Sequence, residues 1–156
     1  MSRLLKLAIT GSIGSGKSVV SRMMNVLGVP VYDCDGNAKR LMTEDSFIVS
    51  ELKRMFGEEC YENDGTLNRQ YIASRIFTDK ENIGRVNALV HPVVKRDFEL
   101  WATRQNTDVV AVETAILYES GMIDSVNKVL VVWAERETAI KRTIERSGMN
   151  RLQVED

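Results

Sequence analysis

The chain has 156 residues, of which 44% are hydrophobic and 28% charged, and its net charge is −1. This balance is typical of a soluble globular protein and excludes a disordered or fibrous chain. A pI near 5.9 argues against a broad positive field, so we expect neither a nucleic-acid partner nor a membrane partner. Cys34 and Cys60 are isolated, and no signal peptide or membrane-length apolar run is evident. We therefore expect free thiols in a cytoplasmic protein.

The first predicted elements are a short buried strand, from Leu4 to Ile9, and an amphipathic helix that ends at Gly28. The apolar positions of this helix are Val19, Val20, Met23, Met24 and Leu27. We expect the methionines at apolar helix positions to fill the core, namely Met23, Met24, Met42 and Met55. Between strand and helix, the octet GSIGSGKS, from Gly11 to Ser18, fits the phosphate-binding pattern G-x-x-x-x-G-K-[ST]. A strand before the pattern and a helix after it are the context that this motif requires.

The chemistry of the octet follows from its residue types. Its glycines allow the backbone to curl so that successive N–H groups point inward. The helix that starts near Lys17 adds the positive end of its dipole. Lys17 can reach the β- and γ-phosphates of a nucleotide, and the Ser18 hydroxyl can ligate Mg²⁺. The sequence therefore predicts a site for the phosphates of a nucleotide.

The rest of the chain alternates strands with helices, apart from one long helical stretch. Strands are predicted at 29–32, 109–112 and 128–133, a helical stretch at 37–104, and a last helix at 136–146. The later strands are almost continuously apolar, as parallel strands covered on both faces are. Parallel strands with helical crossovers make a doubly wound α/β sheet, which binds ligands at the carboxyl ends of its strands.

The helical stretch carries several start and stop signals. Ser46 and Asn68 are predicted N-caps. His91, the only histidine, stands before Pro92, and this pair predicts a break between two helices. From its position alone, His91 is better explained as a structural hydrogen-bonding residue than as a general base.

Acidic residues follow the predicted strands at the edge where a ligand would bind. Asp33 and Asp35 come just after the second strand, where the acceptor of a phosphoryl group would sit. Either carboxylate can orient or deprotonate an acceptor hydroxyl, although Asp35 can instead cap the following helix. Glu113, which ends the third strand, resembles a Walker-B acid that holds Mg²⁺ through water. It can equally be a strand-end acid in contact with a helix terminus.

The last predicted helix is rich in cations. Arg142 and Arg146 are four residues apart and therefore share one helix face. Such a face can close over a transferring phosphate. The alternative is a solvated helix whose cations are balanced by neighbouring glutamates.

Read in order, the chain resembles dephospho-CoA kinase, a family of P-loop enzymes that phosphorylate the ribose 3′-hydroxyl of dephospho-CoA. The matching segments are the octet with the two residues before it, VYDCD at 31–35, DGTLNR at 64–69, HP at 91–92, LYE at 117–119 and RTIER at 142–146. A P-loop alone is common to many ATPases. The D-G-x-L-x-R and H-P pair, at these separations, makes the match specific.

The resemblance implies a P-loop kinase fold with ATP and Mg²⁺ bound at residues 14–19, an acceptor-side carboxylate and a lid near the last helix. The candidate nucleotide-binding residues are Gly11, Gly14, Ser15, Gly16, Lys17, Ser18, Val19 and Arg146, with Ser18 also the metal ligand. The candidate catalytic residues are Lys17, Asp33 and Arg142, and the candidate substrate-binding residues are Asp33, Asp35, Arg69 and His91.

The resemblance also implies a division of the chain into a nucleotide-binding core with a partial lid, at 1–34 and 107–156, and a helical insertion for the CoA moiety, at 35–106. The sequence departs from the family pattern twice. Ala115, Ile116 and Leu117 stand where the family commonly has P-L-L, and the chain ends before the family's usual final strand and helices.

Two other functions compete with this interpretation. A nucleoside or nucleoside-monophosphate kinase has a similar core but a different acceptor. A GTP-dependent switch is also conceivable, because residues 33–36 formally fit D-x-x-G. That segment follows the octet too closely, however, and Asn127-Lys128 lacks the aspartate of N-K-x-D that reads guanine.

Overall fold

The computed structural model describes residues 4–148 and 151. Residues 1–3, 149–150 and 152–156, which the predicted core includes, lie outside the described residues. The strands and helices, in chain order, are β1 (Leu5–Thr10), α1 (Lys17–Val26), β2 (Val31–Asp33), α2 (Cys34–Glu44), α3 (Ser46–Phe56), α4 (Arg69–Thr78), α5 (Lys80–Thr103), β3 (Val109–Glu113), β4 (Lys128–Val131) and α6 (Arg136–Ser147). Short 3-10 helices lie at Glu58–Cys60 and Met122–Ser125. The chain forms two compact units, one of Met1–Asp33 with Trp101–Asp156, and the other of Cys34–Leu100.

The first unit is built on a four-stranded sheet in the order β2-β3-β1-β4. All three strand pairings are parallel, which confirms the predicted α/β fold. The inner strands carry the core, because Ile9, Val110 and Val112 are completely buried. In register, Glu113 stands beside Ile9 on one side and beside Asp33 on the other. The carboxyl ends of β1, β2 and β3 therefore meet at one edge of the sheet.

Helix α1 does not bury the apolar face that its sequence predicts. Val19, Met23 and Leu27 are 51%, 60% and 75% exposed, whereas Ser21 is buried. These three residues form one stripe of the helix, and that stripe is turned outward, while the small Ser21 side chain lies on the inward side. The predicted core role of Met23 is therefore wrong, while Met24, Met42 and Met55 are half-buried.

The helices of the second unit begin at polar caps. The Asp45 carboxylate accepts hydrogen bonds from the backbone N–H groups of Phe47 and Ile48, both at 3.1 Å. The N-cap is thus Asp45, one residue before the predicted Ser46. The predicted Asn68 cap is confirmed, since its side chain accepts from the Tyr71 N–H at 3.0 Å.

The predicted helix break at Pro92 is absent, and α5 runs through this residue without interruption from Lys80 to Thr103. Val90, Val93, Val94 and Phe98 are all buried on the two sides of Pro92. This stripe has helical spacing, so packing of a continuous helix outweighs the hydrogen bond that proline removes. Arg40 in α2 adds an ion pair to Asp97 in α5, with 2.7 Å between the charged atoms.

Candidate active site

The phosphate-binding loop joins β1 to α1, as its sequence predicts. Gly16 precedes the first residue of α1 with a positive φ of 104°, and no side chain caps the helix. The positive end of the α1 dipole therefore faces the loop without a side-chain cap, which favours an anion there. The Ser15 hydroxyl is buried within the loop and makes no hydrogen bond to any described residue.

Lys17 already lies along this loop. Its ammonium group donates hydrogen bonds to the carbonyl oxygens of Gly11 at 2.7 Å and Ser12 at 2.8 Å. These contacts hold the positive charge against the backbone of the loop, and Lys17 is itself the first residue of α1. A polyphosphate bound there would meet a lysine that is already in position.

The Ser18 hydroxyl and the Glu113 carboxylate are hydrogen-bonded. Ser18 Oγ donates to Glu113 Oε1 at 3.1 Å, although the two residues are 95 positions apart in the chain. Two oxygen ligands of the kind that Mg²⁺ prefers thus lie together beside the phosphate loop. Both sequence interpretations of Glu113 fit this contact, because Ser18 lies in the first turn of α1.

Asp33 lies at the same corner of the sheet. It ends β2 as the register partner of Glu113, and register partners on neighbouring strands project from the same face. Asp33 is exposed, so its carboxylate is accessible to a ligand. The structure therefore brings together Lys17, Ser18, Asp33 and Glu113, which the sequence distributes over three segments.

Helix α6 brings Arg142 to the loop. One guanidinium nitrogen of Arg142 lies 4.0 Å from the position that a Cβ atom would occupy on Gly16. Arg142 is exposed, and Arg146 lies one turn further along the same helix, also exposed. A positive charge from α6 thus stands beside the phosphate loop, next to the start of α1.

The remaining predicted substrate residues belong to the second unit. Asp35 is exposed in the first turn of α2, and Arg69 is exposed at the first position of α4. His91 lies within α5, where burial lowers the pKa of its imidazole. This shift favours a neutral histidine and agrees better with a structural role than with a cationic ligand contact.

A cavity of about 310 Å³ lies within the second unit, between α2 and the segment that leads into α4. Its lining combines two cations, two hydroxyls and two apolar side chains: Lys39, Arg69, Thr43, Thr66, Met42 and Leu67. The sequence singled out Arg69 but missed Lys39, because one lysine on a charged helix carries no distinguishing signal.

A short hairpin forms one wall of this cavity. Tyr61 and Leu67 pair as an antiparallel bridge, and the Tyr61 hydroxyl donates to the Met42 carbonyl at 2.5 Å. Burial raises the pKa of Tyr61 to about 12, so this hydroxyl remains a donor at neutral pH. The bond joins the hairpin to α2, and residues of both elements line the cavity.

Among the described residues, no helix combines the length and the apolar character that crossing a lipid bilayer requires.

Comparison with known proteins gives consistent results. The family model CoaE, described as dephospho-CoA kinase, matches residues 5–156. A protein named dephospho-CoA kinase from Bacteroides fragilis is 39% identical over 145 residues, which are 92% of this chain and 70% of that protein. The crystal structure of TT1252 from Thermus thermophilus has a TM-score of 0.82 at 34% identity, over 97% of this chain and 77% of that one.

A dephospho-CoA kinase structure from Campylobacter jejuni matches with a TM-score of 0.68 at 21% identity, over 96% of this chain and 76% of that chain. At this identity the likeness concerns the fold, and it agrees with the parallel sheet and inserted helices described above.

Proposed function

We propose that the site at the carboxyl ends of the sheet strands carries out phosphoryl transfer, because the chain belongs to the dephospho-CoA kinase family. The chain therefore transfers a phosphoryl group from ATP to the ribose 3′-hydroxyl of dephospho-CoA. The nucleotide-binding unit would comprise 1–34 and 107–156, and the helical insertion at 35–106 would receive dephospho-CoA. The observation that carries the proposal is the convergence of Lys17, Asp33 and Arg142 on one corner of the first unit.

Asp33 is the proposed general base. Its carboxylate accepts the proton of the 3′-hydroxyl as that oxygen bonds to the γ-phosphorus, and the bond from the γ-phosphorus to the bridging oxygen breaks to release ADP. Its exposure and its position beside Glu113 support this role. Asp35, also exposed, would contact the acceptor nearby without taking the proton.

Lys17 and Arg142 are proposed to stabilise the charge that develops on the transferring group. Lys17 lies against the loop backbone, and Arg142 stands over Gly16. Cations held in position before the reaction stabilise the transition state without further reorganisation. Arg146, one turn away, would contact the nucleotide, together with Gly11, Gly14, Ser15, Gly16, Ser18 and Val19.

The residues at this corner fit a bound Mg²⁺. Ser18 Oγ and Glu113 Oε1 lie 3.1 Å apart, and Mg²⁺ typically takes one or two protein oxygens together with phosphates and waters. We propose that Ser18 would hold the ion directly and Glu113 through water. When bound, the ion would neutralise charge on the β- and γ-phosphates.

The cavity of the second unit is the proposed binding site for the diphosphate and pantetheine parts of dephospho-CoA. Lys39 and Arg69 offer two cations to the diphosphate, and Met42 and Leu67 offer apolar surface to the chain that follows it. These contacts would distinguish dephospho-CoA from a nucleoside or a nucleoside monophosphate, which lacks these groups. His91 is proposed to support this unit from within α5.

An ADP-release assay tests the proposal with dephospho-CoA, adenosine and AMP as acceptors. We expect the highest kcat/KM with dephospho-CoA, almost no activity after Lys17→Ala, and a raised KM for dephospho-CoA alone after Lys39→Ala or Arg69→Ala. Arg54→Ala, which removes an exposed cation paired with Glu51, is the matched control. A dominant rate with AMP would instead support a nucleoside-monophosphate kinase.

We also propose a cytoplasmic location. Cys34 and Cys60 are both buried as free thiols, and free thiols persist in a reducing compartment.

A further inference from the structure

The phosphate loop and helix α6 touch at Gly14. Gly14 has a φ of +77°, and a Cβ atom placed on it would lie 2.2 Å from the Ala139 carbonyl oxygen and 2.6 Å from Thr143 Oγ1. Both distances are far below van der Waals contact. The loop backbone therefore packs directly against one turn of α6. Glycine is required at position 14 because any larger residue would overlap with this helix.

Thr143 supplies the side chain in this contact. It is 4% exposed, and its hydroxyl donates to the Ala139 carbonyl at 2.8 Å within the same helix turn. This bond satisfies the buried hydroxyl and fixes the side chain in the orientation that faces Gly14. A threonine bonded to the carbonyl four residues earlier also bends a helix slightly.

The next residue back in the chain is Arg142, whose guanidinium stands over Gly16. Neighbouring residues of a helix project about 100° apart, so one can pack against the loop while the other reaches over its mouth. Since Thr143 contacts the loop one residue away from Arg142, a shift of this helix turn would also move the Arg142 guanidinium. A misplacement of about 1 Å in a catalytic group can lower the rate about 100-fold.

We propose that Thr143 is a positioning residue, which seats α6 on Gly14 and thereby holds Arg142 at the transferring phosphate. This inference rests on the proposed role of Arg142. A merely structural Thr143 would affect the stability of the protein, whereas a positioning Thr143 affects the rate only while Arg142 is present.

The test is a double-mutant cycle on the full chain, measured as kcat and KM for both substrates. Thr143→Val keeps the shape of the side chain and removes the hydroxyl. We expect it to lower kcat about tenfold with little change in KM, and Thr143→Ser, which keeps the hydroxyl, to retain most of the activity. In the Arg142→Ala background, Thr143→Val should cause no further loss.

Ser147→Ala is the matched control, because the Ser147 hydroxyl also donates to a carbonyl four residues earlier on α6, at 2.7 Å, but lies one turn beyond the contact with Gly14. Its kcat should be unchanged. If Thr143→Val does not fold, Thr143→Ala enters the same cycle, with urea unfolding as the check.

Two results would overturn the role of Thr143 while leaving that of Arg142 intact. One is an equal loss of kcat from Thr143→Val in the unsubstituted protein and in Arg142→Ala. The other is no loss from Thr143→Val in either, while Arg142→Ala itself is impaired. If Arg142→Ala retains the full kcat, the proposed role of Arg142 falls, and the inference falls with it.

Discussion

The hydrogen bond between Ser18 and Glu113 leads to a prediction that Glu113→Gln weakens Mg²⁺ binding but does not weaken the binding of metal-free ATP. Glu113→Gln keeps the length of the side chain and an oxygen that can still accept the Ser18 proton over 3.1 Å, so the fold should be preserved. The substitution removes one negative charge from the site. That charge should favour a bound Mg²⁺ and disfavour metal-free ATP, because the two ligands have opposite charge.

The size of the effect follows from distance and exposure. Two unit charges about 4 Å apart interact by about 4 kcal/mol at an effective dielectric constant of about 20. Glu113 is half-buried, so water screens part of this interaction, and we take about 1–2 kcal/mol. We therefore expect the Mg²⁺ concentration for half-maximal activity to rise about 5–30-fold in Glu113→Gln.

A Mg²⁺ titration at fixed ATP and dephospho-CoA measures the Mg²⁺ concentration for half-maximal activity, and calorimetry in EDTA measures the affinity for metal-free ATP. ATP binding without metal should be unchanged or tighter in Glu113→Gln. Asp33→Asn is the comparison variant: it also removes one negative charge at this corner, but it should lower kcat far more than it moves the Mg²⁺ midpoint. A midpoint within twofold of the unsubstituted protein, or weaker metal-free ATP binding, would refute a metal-holding Glu113.

Three further predictions concern separate parts of the chain. Asp33→Asn should lower kcat about 100-fold or more while calorimetry finds nearly unchanged ATP affinity; a collapse of ATP binding would contradict an acceptor-side Asp33. Phe98→Ala should lower the free energy of unfolding in urea by about 3–5 kcal/mol, because Phe98 is fully buried, and a loss below about 1 kcal/mol would contradict this packing. Burial lowers the folded-state pKa of His91 below its unfolded value of about 6.5, so its contribution to stability is present above that value and is lost as the pH falls through the folded pKa. His91→Gln should therefore flatten the decline in unfolding free energy between about pH 7 and about pH 5. An unchanged slope would count against a buried neutral histidine.

The sequence predicts the phosphate loop well because every requirement of that loop is local. Glycines at fixed spacing, a lysine and a hydroxyl residue all lie within eight consecutive positions, between a strand and a helix. The same locality explains the success at Asn68 and the error of only one residue at Asp45, where two adjacent polar residues compete for one cap.

The failures arise where distant packing decides the outcome. Pro92 predicts a helix break from its own chemistry, yet the buried stripe on both sides of it keeps α5 continuous. The exposed Met23 is the converse case, because periodicity shows that a helix has an apolar side but not which side meets the sheet. Likewise, the contact of Glu113 with Ser18 across 95 positions cannot be read from either segment alone.

The glycines of the loop are required for a second reason that the sequence motif does not reveal, namely packing on the outer side of the loop. Inward curvature around a phosphate explains why glycine is favoured, but other parts of the chain also leave no room for a side chain on the outer side of the loop. A Cβ atom on Gly11 would lie 2.1 Å from the Val132 carbonyl oxygen, and one on Gly14 would meet α6. The outer side of the loop is thus packed against the chain that leads from β4 into α6 and against α6 itself. A Gly11→Ala or Gly14→Ala variant that loses activity would therefore report on this outer packing as much as on phosphate binding. Lys17→Ala gives the cleaner measure of phosphate recognition, because it removes a cation hydrogen-bonded to the loop carbonyls of Gly11 and Ser12 and adds no atom to the loop.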